Sequence, residues 1–384
     1  CTRSLVGSEM CIRDRKMSVK FKTVKDATSM LNPGGYQCKI DLQTAYRSVG
    51  LHPSQYRYTG LKWLFAGDTE PTYMYDARLP FGAKLSVGIF HRLSQAVCRM
   101  ASRRNIKCVG YLDDFWITAD SFDECKEGLN TMMKLLRSLG FSISYKKVEG
   151  PAQVITFLGI EIDSRDMKLR LPMDKVAAYK GVLNDFLTRP RASRRQLEQL
   201  AGKLAWAAHV VQGGSIYLQR VLTMLRTLKK PHHKAKLSSE FYQDIRWWIV
   251  YIDCFNSKDI QQHPRPVVHV YTDSSNEAAG MVTDSDWFHI NWNTDVPAAR
   301  DLHINVKESL AVAAAVYRWA PSWRGCNVVI HTDNVTAKAA FNKGRSNSSI
   351  VMGHVRDTFW LSQAYDFNIT LQHIKGSYLS LIHI

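Results

Sequence analysis

The segment that most constrains the fold is GYLDDFWI, residues 110–117. Its apolar and aromatic residues suit two short β-strands, at 107–112 and 115–119, and two adjacent carboxylates, Asp113 and Asp114, separate them. Aspartate is favoured in tight turns, so the pattern predicts a β-hairpin with both carboxylates at its tip. A charged pair inside an otherwise buried run is costly unless its charge is compensated, which makes this tip a candidate site.

A third carboxylate, Asp41 in CKIDLQTAY, follows a strand-like segment and precedes a short helix. If the two strands are neighbours in one sheet, Asp41 and Asp113 meet at one edge. Clustered carboxylates repel one another, and Mg²⁺, which prefers oxygen ligands and keeps positions open for phosphate oxygens, removes that repulsion. Two such ions about 4 Å apart stabilise both oxygens of a phosphoryl displacement. The three acids therefore suit nucleotidyl transfer.

Each acid also has a plainer interpretation. Asp41 could cap a helix, and Asp113 with Asp114 could form only a polar turn. Neither interpretation explains why the pair is bracketed by Tyr-Leu and Phe-Trp.

The segments around the hairpin predict helices packed on an antiparallel sheet. Ser121 with Glu124 forms a capping box before an apolar helix face, and Gly140 ends that helix. The other predicted elements are a helix that follows LPFG (79–82) and runs through Arg103, and strands at 142–145 and 154–162. The order β-α-β-β-α-β is that of an α+β layer.

The predicted secondary structure changes twice along the rest of the chain. Residues 174–260 have a mostly helical pattern, and HPRP at 263–266 marks a domain boundary. Beyond it, strands and helices alternate as in an α/β domain. The predicted elements there are strands at 267–272, 327–331 and 369–374 and a helix at 306–319.

The charge of the chain narrows the class of partner. The formal net charge is +17, with 51 Lys and Arg against 34 Asp and Glu. Such an excess favours nucleic acid first and an anionic membrane second. No apolar run approaches the roughly 20 residues that span a bilayer. The eight cysteines have no zinc-site spacing and suit free thiols in a reducing compartment.

Both ends of the sequence look foreign to the fold. Residues 1–15 (CTRSLVGSEMCIRDR) and 378–384 resemble translated sequencing adapters, so we expect neither to fold and the natural polypeptide to be longer. Frayed termini are the plainer alternative.

Four motifs in order resemble those of reverse transcriptases. YLDD (111–114) resembles the YxDD motif, KIDLQTAYRSVGLHP motif A and LPFGAKLSVGIFHRL motif B, and the KK pair at 146–147 with the later TFLGIEID resembles motif D and the primer grip. Asp113 lies 72 residues after Asp41, a spacing that fits the family. The resemblance covers roughly residues 16–377 and is greatest for gypsy-type and DIRS-type retrotransposon enzymes.

This resemblance implies an α+β fold with fingers and a ferredoxin-like palm at 16–171, a helical thumb and connection at 172–262, and an α/β ribonuclease H-like domain at 263–377. Asp41 and Asp113 would bind the metal ions directly, with Asp114 supporting them. The other implied contacts are Tyr46 beneath the sugar, where a ring excludes a 2′-OH, Phe81 and Gly82 under the new base pair, Tyr111 beside the substrate, Lys147 for protonating the leaving group, and Phe157, Leu158 and Gly159 at the primer end. Core packing for Tyr46 and a solvated position for Lys147 are open alternatives.

A second acidic set, Asp273, Glu308 and Asp333, lies in the last third of the chain. Each has a local explanation, since Asp273 ends a strand, Asn305 with Glu308 forms a capping box, and Asp333 can cap the following helix. Together, strand-Asp, helix-Glu and strand-Asp resemble ribonuclease H, which would hydrolyse the RNA strand of a hybrid with two metal ions.

That resemblance also places a fourth Asp after the LQHIKG strand, where this chain continues SYLSLIHI. It places basic fingers residues upstream of Lys16, where the adapter-like residues stand. Position on the strand favours a structural role for His373 over a catalytic one.

The helical middle holds a dense basic segment. In the thumb and connection that it resembles, such residues would follow phosphates independently of sequence, and a merely solvated face is the alternative. The basic residues are Arg189, Arg191, Arg194, Arg195, Lys229, Lys230, Lys234 and Lys236. We expect Trp206, Trp247 and Trp248 to be core residues rather than base-stacking groups.

The resemblance thus implies an RNA-directed DNA polymerase with a linked ribonuclease H. It would use two Mg²⁺ ions per active site, or Mn²⁺, and act on an RNA/DNA template-primer, an RNA–DNA hybrid and dNTPs. A catalytically dead nucleic-acid-binding relic is one alternative. A transposase or integrase with the ribonuclease H fold is another, which explains the later acids but not YLDD. We expect a cytoplasmic location, with access to the nucleus also open, and no membrane partner.

Overall fold

The computed structural model describes residues 19–261 and 264–376. The adapter-like ends predicted at 1–15 and 378–384, and His263 of the predicted boundary, lie outside this described part. The chain divides into two compact units, Cys1–Pro172 and Met173–Ile384. The further division of the second unit at residue 263 stays a prediction.

The first unit is built on an antiparallel sheet. Its helices are α1 (Val24–Thr28), α2 (Lys84–Ser102) and α3 (Phe122–Ser138), with 3₁₀ turns at Ala45–Ser48, Pro53–Tyr58 and Tyr145–Lys147. Its strands are β1 (Tyr36–Gln43), β2 (Gly60–Trp63), β3 (Thr72–Tyr75), β4 (Lys107–Tyr111), β5 (Asp114–Ala119), β6 (Ser142–Ile143), β7 (Glu149–Ala152), β8 (Val154–Phe157), β9 (Ile160–Asp163) and β10 (Lys168–Arg170). In the central sheet the order is β4-β5-β1-β6, and β7 also pairs with β1.

Both faces of this sheet are covered. Ile40, Phe115 and Ile117 are at most 1 % exposed and share one core with α2 and α3. Full burial of such a side chain contributes about 1.5–3 kcal/mol. On the opposite face the ring of Trp116 packs against Phe157, with centroids 6.3 Å apart. The observed layers confirm the predicted β-α-β-β-α-β order and the α+β class.

The ends of α3 lie where the sequence predicted them, but only the Ser121 half of the predicted capping box is present. Ser121 is the N-cap, and its hydroxyl accepts a hydrogen bond from the Glu124 N–H. At the other end Gly140 has a φ of +84° and donates its N–H to Arg137 O at 2.9 Å. A positive φ there favours glycine, which has no Cβ.

Two predicted strands differ from the structure. The segment 154–162 is a hairpin rather than one strand, because β8 and β9 pair around Leu158 and Gly159 with φ angles of +48° and +73°. Consecutive positive φ angles match the tight turns that connect hairpin strands. The strand predicted at 142–145 ends at Ile143, since Tyr145 begins a 3₁₀ turn.

The second unit begins with helices and ends with a mixed sheet. Its helices are α4 (Met173–Thr188), α5 (Arg194–Ala207), α6 (Gly214–Tyr217), α7 (Gln219–Thr227), α8 (Ser239–Cys254), α9 (Ile304–Trp319), α10 (Val335–Lys343) and α11 (Ser349–Ala364), with 3₁₀ turns at Pro297–Ala299 and Ala320–Trp323. Its strands are β11 (Arg191–Ser193), β12 (Lys234–Lys236), β13 (Lys258–Asp259), β14 (Val267–Ser274), β15 (Ala278–Thr283), β16 (Trp287–Asn291), β17 (Asn327–Thr332) and β18 (Asn368–His373).

The helical part of this unit has an aromatic core. Trp247 and Trp248 are 5 % and 0 % exposed, and Trp248 Nε1 donates to Tyr217 O at 3.2 Å. The prediction that these two tryptophans are core residues is confirmed, while Trp206 is half-buried.

The sheet of the second unit has the order β16-β15-β14-β17-β18. The strand β14 is antiparallel to β15 and parallel to β17, which is parallel to β18. Val312 and Val316 of α9 share one core with Val270 and Ile330 of the sheet. The alternation of strands and helices predicted for this region is confirmed.

Two chemical expectations can be compared with the described ranges. No helix there is both long and apolar enough to cross a membrane. The cysteines described are all free thiols, including the buried Cys38 and Cys125, whose Sγ atoms lie 3.2 Å apart.

Candidate active site

The YLDD segment forms a tight hairpin at the end of the first unit's sheet. Tyr111 pairs with Asp114, so Leu112 and Asp113 alone make the turn. Leu112 has a φ of +53°, which is uncommon for a residue other than glycine. Such a conformation costs of order 1–3 kcal/mol and persists where the surroundings impose it. The two paired strands therefore hold Asp113 at the tip.

The same edge receives Asp41. Asp41 lies within β1, directly opposite Asp114 of β5, rather than after the strand as predicted. The next residue, Leu42, donates its N–H to Asp113 O at 3.1 Å. The pairing of β1 with β5 thus brings the three predicted acids to one place. Asp41 caps no helix, because the strand continues through Gln43.

The three carboxylates perturb one another. Burial, followed by the charges of Asp113 and Asp41, raises the pKa of Asp114 to about 6. Burial also raises the pKa of Asp113, and the charge of Asp41 adds to it. Both shifts show that negative charge is costly here, so a bound cation would be favoured. The donor set, all carboxylate oxygens, fits a hard divalent ion.

Lys147 supplies one positive charge to this edge. Its Nζ lies 3.1 and 3.3 Å from the two carboxylate oxygens of Asp41, and the hydrogen bond to Asp41 raises the pKa of Lys147. The 3₁₀ turn that ends at Lys147 places it there. The lysine therefore stands, protonated, beside the acids.

The remaining predicted contacts surround the hairpin. The half-buried Tyr46 stacks on Phe90 at 5.0 Å and meets Phe81 at 5.1 Å. Burial, with a smaller effect from the charge of Asp113, raises the pKa of Tyr46. Phe81 is 68 % exposed, and Gly82 has a φ of +82° with open space around it. An exposed ring beside a half-buried one forms a surface on which a base or sugar can rest.

Tyr111 and the residues predicted at the primer end have different environments. The Tyr111 ring lies 5.5 Å from that of Phe21. Phe157 is 0 % exposed, so its ring is a core group and only the turn at Leu158 and Gly159 lies at the surface.

In the second unit, the structure brings Asp273, Glu308 and Asp333 together. Their nearest ligand oxygens all lie within 4.8 Å of one another. Asp273 lies near the end of β14, Glu308 lies on α9, and Asp333 directly follows β17. Because β14 and β17 are parallel neighbours, their carboxyl ends meet beside the helix.

Two predicted caps are wrong. Asn305 lies inside α9, whose N-cap is His303, with Nδ1 accepting a hydrogen bond from the Asn305 N–H. Asn334 rather than Asp333 caps α10, because its side chain accepts from the Ala337 N–H. Neither Glu308 nor Asp333 therefore caps a helix.

Glu308 is the most perturbed acid of this set. It is 3 % exposed, and burial, then the charges of Asp333 and Asp273, raises its pKa to about 8. Ser274 donates its N–H to Oε1 at 3.3 Å, while Oε2 has no hydrogen-bond partner within the described residues. A buried, unpartnered carboxylate oxygen beside two other acids fits a divalent cation.

The sequence did not single out two neighbours of these acids. Ser274 donates its backbone N–H to Asp273 and Glu308, and in the sequence only its position next to Asp273 indicated such a role. Gly376 lies against Asp333, since a Cβ at Gly376 would come within 2.9 Å of Asp333 Oδ2; its signal was a glycine three residues after β18. His373 is exposed at the end of β18, and its charge lowers the pKa of Asp333, which burial and then Asp273 raise.

Comparison with known proteins gives an independent result. Residues 11–162 match the family described as reverse transcriptase (RNA-dependent DNA polymerase). The chain is 24 % identical over 320 residues to the enzymatic polyprotein of cauliflower mosaic virus (strain CM-1841), covering 78 % of this chain and 43 % of the relative. It is 29 % identical over 125 residues to the Gag-Pol polyprotein of koala retrovirus, covering 31 % of this chain and 7 % of the relative. The chain spans less than half the length of these relatives.

Solved structures of similar fold include those of the foamy viral protease-reverse transcriptase. Its complex with an RNA/DNA hybrid has a TM-score of 0.55 at 16 % identity, covering 93 % of this chain and 46 % of that one. Its complex with double-stranded DNA has a TM-score of 0.52 at 17 % identity, covering 93 % and 71 %. At such identities the likeness shows the fold. Taken with the matched residues, the chain carries a reverse transcriptase domain within 11–162 and has caulimovirus and retroviral polyproteins as relatives.

Proposed function

We propose that the first unit is an RNA-directed DNA polymerase whose active site is the edge formed by Asp41, Asp113 and Asp114. The observation that carries this proposal is the antiparallel pairing that sets Asp41 beside the YLDD hairpin. The match of residues 11–162 to the reverse transcriptase family supports it. Two Mg²⁺ ions, when bound, would stabilise charge on the attacking and leaving oxygens.

The residues themselves have separable roles. Asp41 and Asp113 would hold the cations, and Asp114, which pairs directly opposite Asp41 in the sheet, would support them. Lys147, held protonated beside Asp41, carries a proton for the pyrophosphate leaving group. Tyr46, packed between Phe90 and Phe81, offers a rigid ring that excludes a 2′-OH, so that dNTPs are the substrate.

The basic segment of the second unit supports a nucleic-acid partner. The short strands β11 and β12 place Arg191 directly opposite Lys236, and Lys234 opposite Ser193. Like charges directly opposite destabilise a strand pair, so an anion at this face would relieve the repulsion. Arg191, Lys234 and Lys236 are exposed, and no carboxylate of the described chain forms an ion pair with them. A phosphate backbone is the polyanion that this face would bind.

A second activity is favoured by Asp273, Glu308 and Asp333. Their convergence on a mixed sheet of order β16-β15-β14-β17-β18 supports two-metal hydrolysis of RNA in an RNA–DNA hybrid. The foamy viral enzyme was solved in complex with an RNA/DNA hybrid, and we propose the same class of partner here. A transposase or integrase is disfavoured, because it leaves the reverse transcriptase match unexplained.

The biological setting is also a proposal. The motifs favour a retrotransposon enzyme of gypsy or DIRS type. We propose that it acts in the cytoplasm with access to the nucleus.

Primer extension tests the first activity. The chain is incubated with Mg²⁺, a labelled DNA primer on an RNA template, and either dNTPs or rNTPs. We expect extension with dNTPs, none with EDTA, and a strong preference over rNTPs that Tyr46→Ala weakens. Extension with rNTPs at the same rate as with dNTPs would overturn the substrate assignment.

Cleavage of a labelled RNA–DNA hybrid tests the second activity. We expect Mg²⁺-dependent cutting of the RNA strand that Asp273→Asn removes and Asp113→Asn does not. Cutting that persists in Asp273→Asn would remove the second site from the proposal.

A further inference from the structure

Lys307 is a buried cation that neither proposed reaction uses. It is 2 % exposed and lies in the first turn of α9, directly before Glu308. Lysine is almost never fully buried without partners, and a cation in the first turn of a helix lies at the positive end of the helix dipole. Its position therefore requires specific stabilising contacts.

Those contacts are two backbone carbonyls. Lys307 Nζ donates to Asn276 O and to Arg300 O, both at 2.7 Å. A hydrogen bond from a charged donor contributes about 1.5–3 kcal/mol. Asn276 lies in the turn between β14 and β15, and Arg300 lies in the loop before α9. One side chain thus ties together the segments that adjoin two of the three acids.

The other carbonyls of this turn are also held. Trp292 donates its Nε1–H to Ser275 O at 3.2 Å and its backbone N–H to Glu277 O at 2.8 Å. With Lys307 on Asn276 O, three successive carbonyls of the turn have fixed donors. The turn is therefore a rigid support rather than a loose connection.

This support continues into the acidic site. The residue before it, Ser274, donates its N–H to Asp273 Oδ1 at 2.9 Å and to Glu308 Oε1 at 3.3 Å. Adjacent residues on a helix do not face each other, so Lys307 acts on Glu308 through the turn rather than by direct contact.

We propose that Lys307 is a positioning residue: by holding the turn at 274–278 against α9, it keeps Asp273 and Glu308 at the spacing that binds a divalent cation. This inference rests on the proposed metal binding by the second acidic set. This positioning role does not require Lys307 to gain or lose a proton.

The test uses Mg²⁺ as the probe. The full chain carries Asp41→Asn and Asp113→Asn, which confine tight binding to the second unit, and Mg²⁺ affinity is measured by calorimetry. We expect Lys307→Met to weaken binding at least tenfold, since outer-shell partners of metal ligands contribute about 10–100-fold. Hydrogen exchange at residues 274–278 should quicken in the same variant. Unchanged affinity together with unchanged exchange overturns the proposal.

Two controls separate positioning from stability. Val316→Ala removes a fully buried group from the same helix about 13 Å away, and should destabilise the unit with Mg²⁺ affinity changed less than twofold. Lys307→Gln serves if the Met variant does not fold: its amide group has two N–H donors but ends one atom short of the Nζ position, so it should not hold both carbonyls. Parent-like affinity and exchange in it would overturn the proposal. If the background protein binds no Mg²⁺, the metal proposal fails, and exchange at 274–278 alone decides on Lys307.

Discussion

Lys147 is the residue in which structure and proposed chemistry meet most closely. It forms an ion pair with Asp41 at 3.1 Å, although 106 residues separate the two in sequence. The KK pair alone could not show this contact, because it depends on where a 3₁₀ turn leaves the sheet. The sequence therefore identified Lys147 as a candidate for proton transfer, but it did not show that Asp41 is the partner of this lysine.

Replacing Lys147 tests its role in proton transfer. We expect Lys147→Met to lower kcat for primer extension about 100-fold, at the lower end of general acid contributions. The matched control is Lys146→Met, an exposed neighbour in the same turn, which should keep kcat within about twofold of the parent. Equal rates in the two variants would show that Lys147 carries no proton in the reaction.

Glu308 gives a prediction about pH. Its pKa is about 8 in the folded protein against 4.5 for the ordinary group. A raised carboxyl pKa means that the folded state favours the protonated form, so this stability is complete below pH 4.5 and lost as pH rises through 8. Without Mg²⁺, we expect the unfolding temperature to fall over this range, and less so in Glu308→Gln.

Mg²⁺ should reverse that trend. Because binding needs the carboxylate, the stabilisation by Mg²⁺ should grow from pH 5.5 to 8.5. An excess of 100 times the Kd supplies about 2.7 kcal/mol, or roughly 5–10 °C for a unit of this size. Thermal unfolding in the Asp41→Asn/Asp113→Asn background measures it. A Mg²⁺ effect of the same size at both pH values would contradict the assignment.

At the scale of elements, the contact of α2 with β4 fixes the base of the YLDD hairpin. A Cβ at Gly110 would lie 2.6 Å from Ser94 Oγ and 2.8 Å from Cys98 Sγ. Glycine there lets the helix approach the strand two residues before the turn. The hairpin owes its position to this close packing as well as to its own strands.

Gly110→Ala should therefore lower the free energy of unfolding of the first unit by about 1–3 kcal/mol, the usual cost of overpacking. Gly128→Ala is the matched control, because it lies inside α3 with only ordinary contacts of 3.7 Å or more; it should stabilise by up to about 1 kcal/mol. Chemical denaturation compares the two. A Gly110→Ala protein as stable as the parent would mean that α2 can shift freely.

Elements of this protein were predictable to different degrees for physical reasons. The YLDD hairpin was predictable because two charges interrupt apolar strands, a strong local signal. The β8–β9 hairpin was missed, since its turn begins at Leu158, a residue that rarely adopts a positive φ. Caps of α9 and α10 were misplaced because several adjacent polar residues could cap, and His303 and Asn334 do so.

At the scale of the whole molecule, the net charge of +17 leads to a quantitative prediction about how nucleic-acid binding depends on salt. Binding of duplex should weaken with salt, with a slope of about 0.9 per phosphate contact on logarithmic axes. Replacing Arg191, Lys234 and Lys236 by glutamine should lower that slope by about 2–3. Fluorescence anisotropy over a salt titration measures it.

The control for this experiment is Lys343→Gln, an exposed lysine at the end of α10. It should leave the slope unchanged. If the triple variant had the same salt dependence of binding as the parent, the basic residues of β11 and β12 would be merely solvated and would not contact phosphates.

The meeting of the acids in each unit was the part of the function most accessible from sequence. The meeting of Asp41 with Asp113 was expected from strand pairing. The meeting of Asp273 with Asp333 was implied only by the resemblance to ribonuclease H, and it arises from the parallel pairing of β14 with β17. The orphaned oxygen of Glu308 and the support from Lys307 were not accessible, because both arise from packing between segments distant in sequence.

The central claim is that the acids of the YLDD hairpin polymerise DNA. Its most direct test is the rate of single-nucleotide incorporation into a DNA primer on an RNA template with Mg²⁺. We compare the parent with Asp113→Asn and with Asp120→Asn, an exposed acid just beyond the far end of β5, about 20 Å from the turn. The prediction is a loss of more than about 100-fold for Asp113→Asn, since even outer-shell changes at metal sites cost 10–100-fold, and little change for Asp120→Asn. No incorporation by the parent, or equal rates for both variants, would contradict the claim.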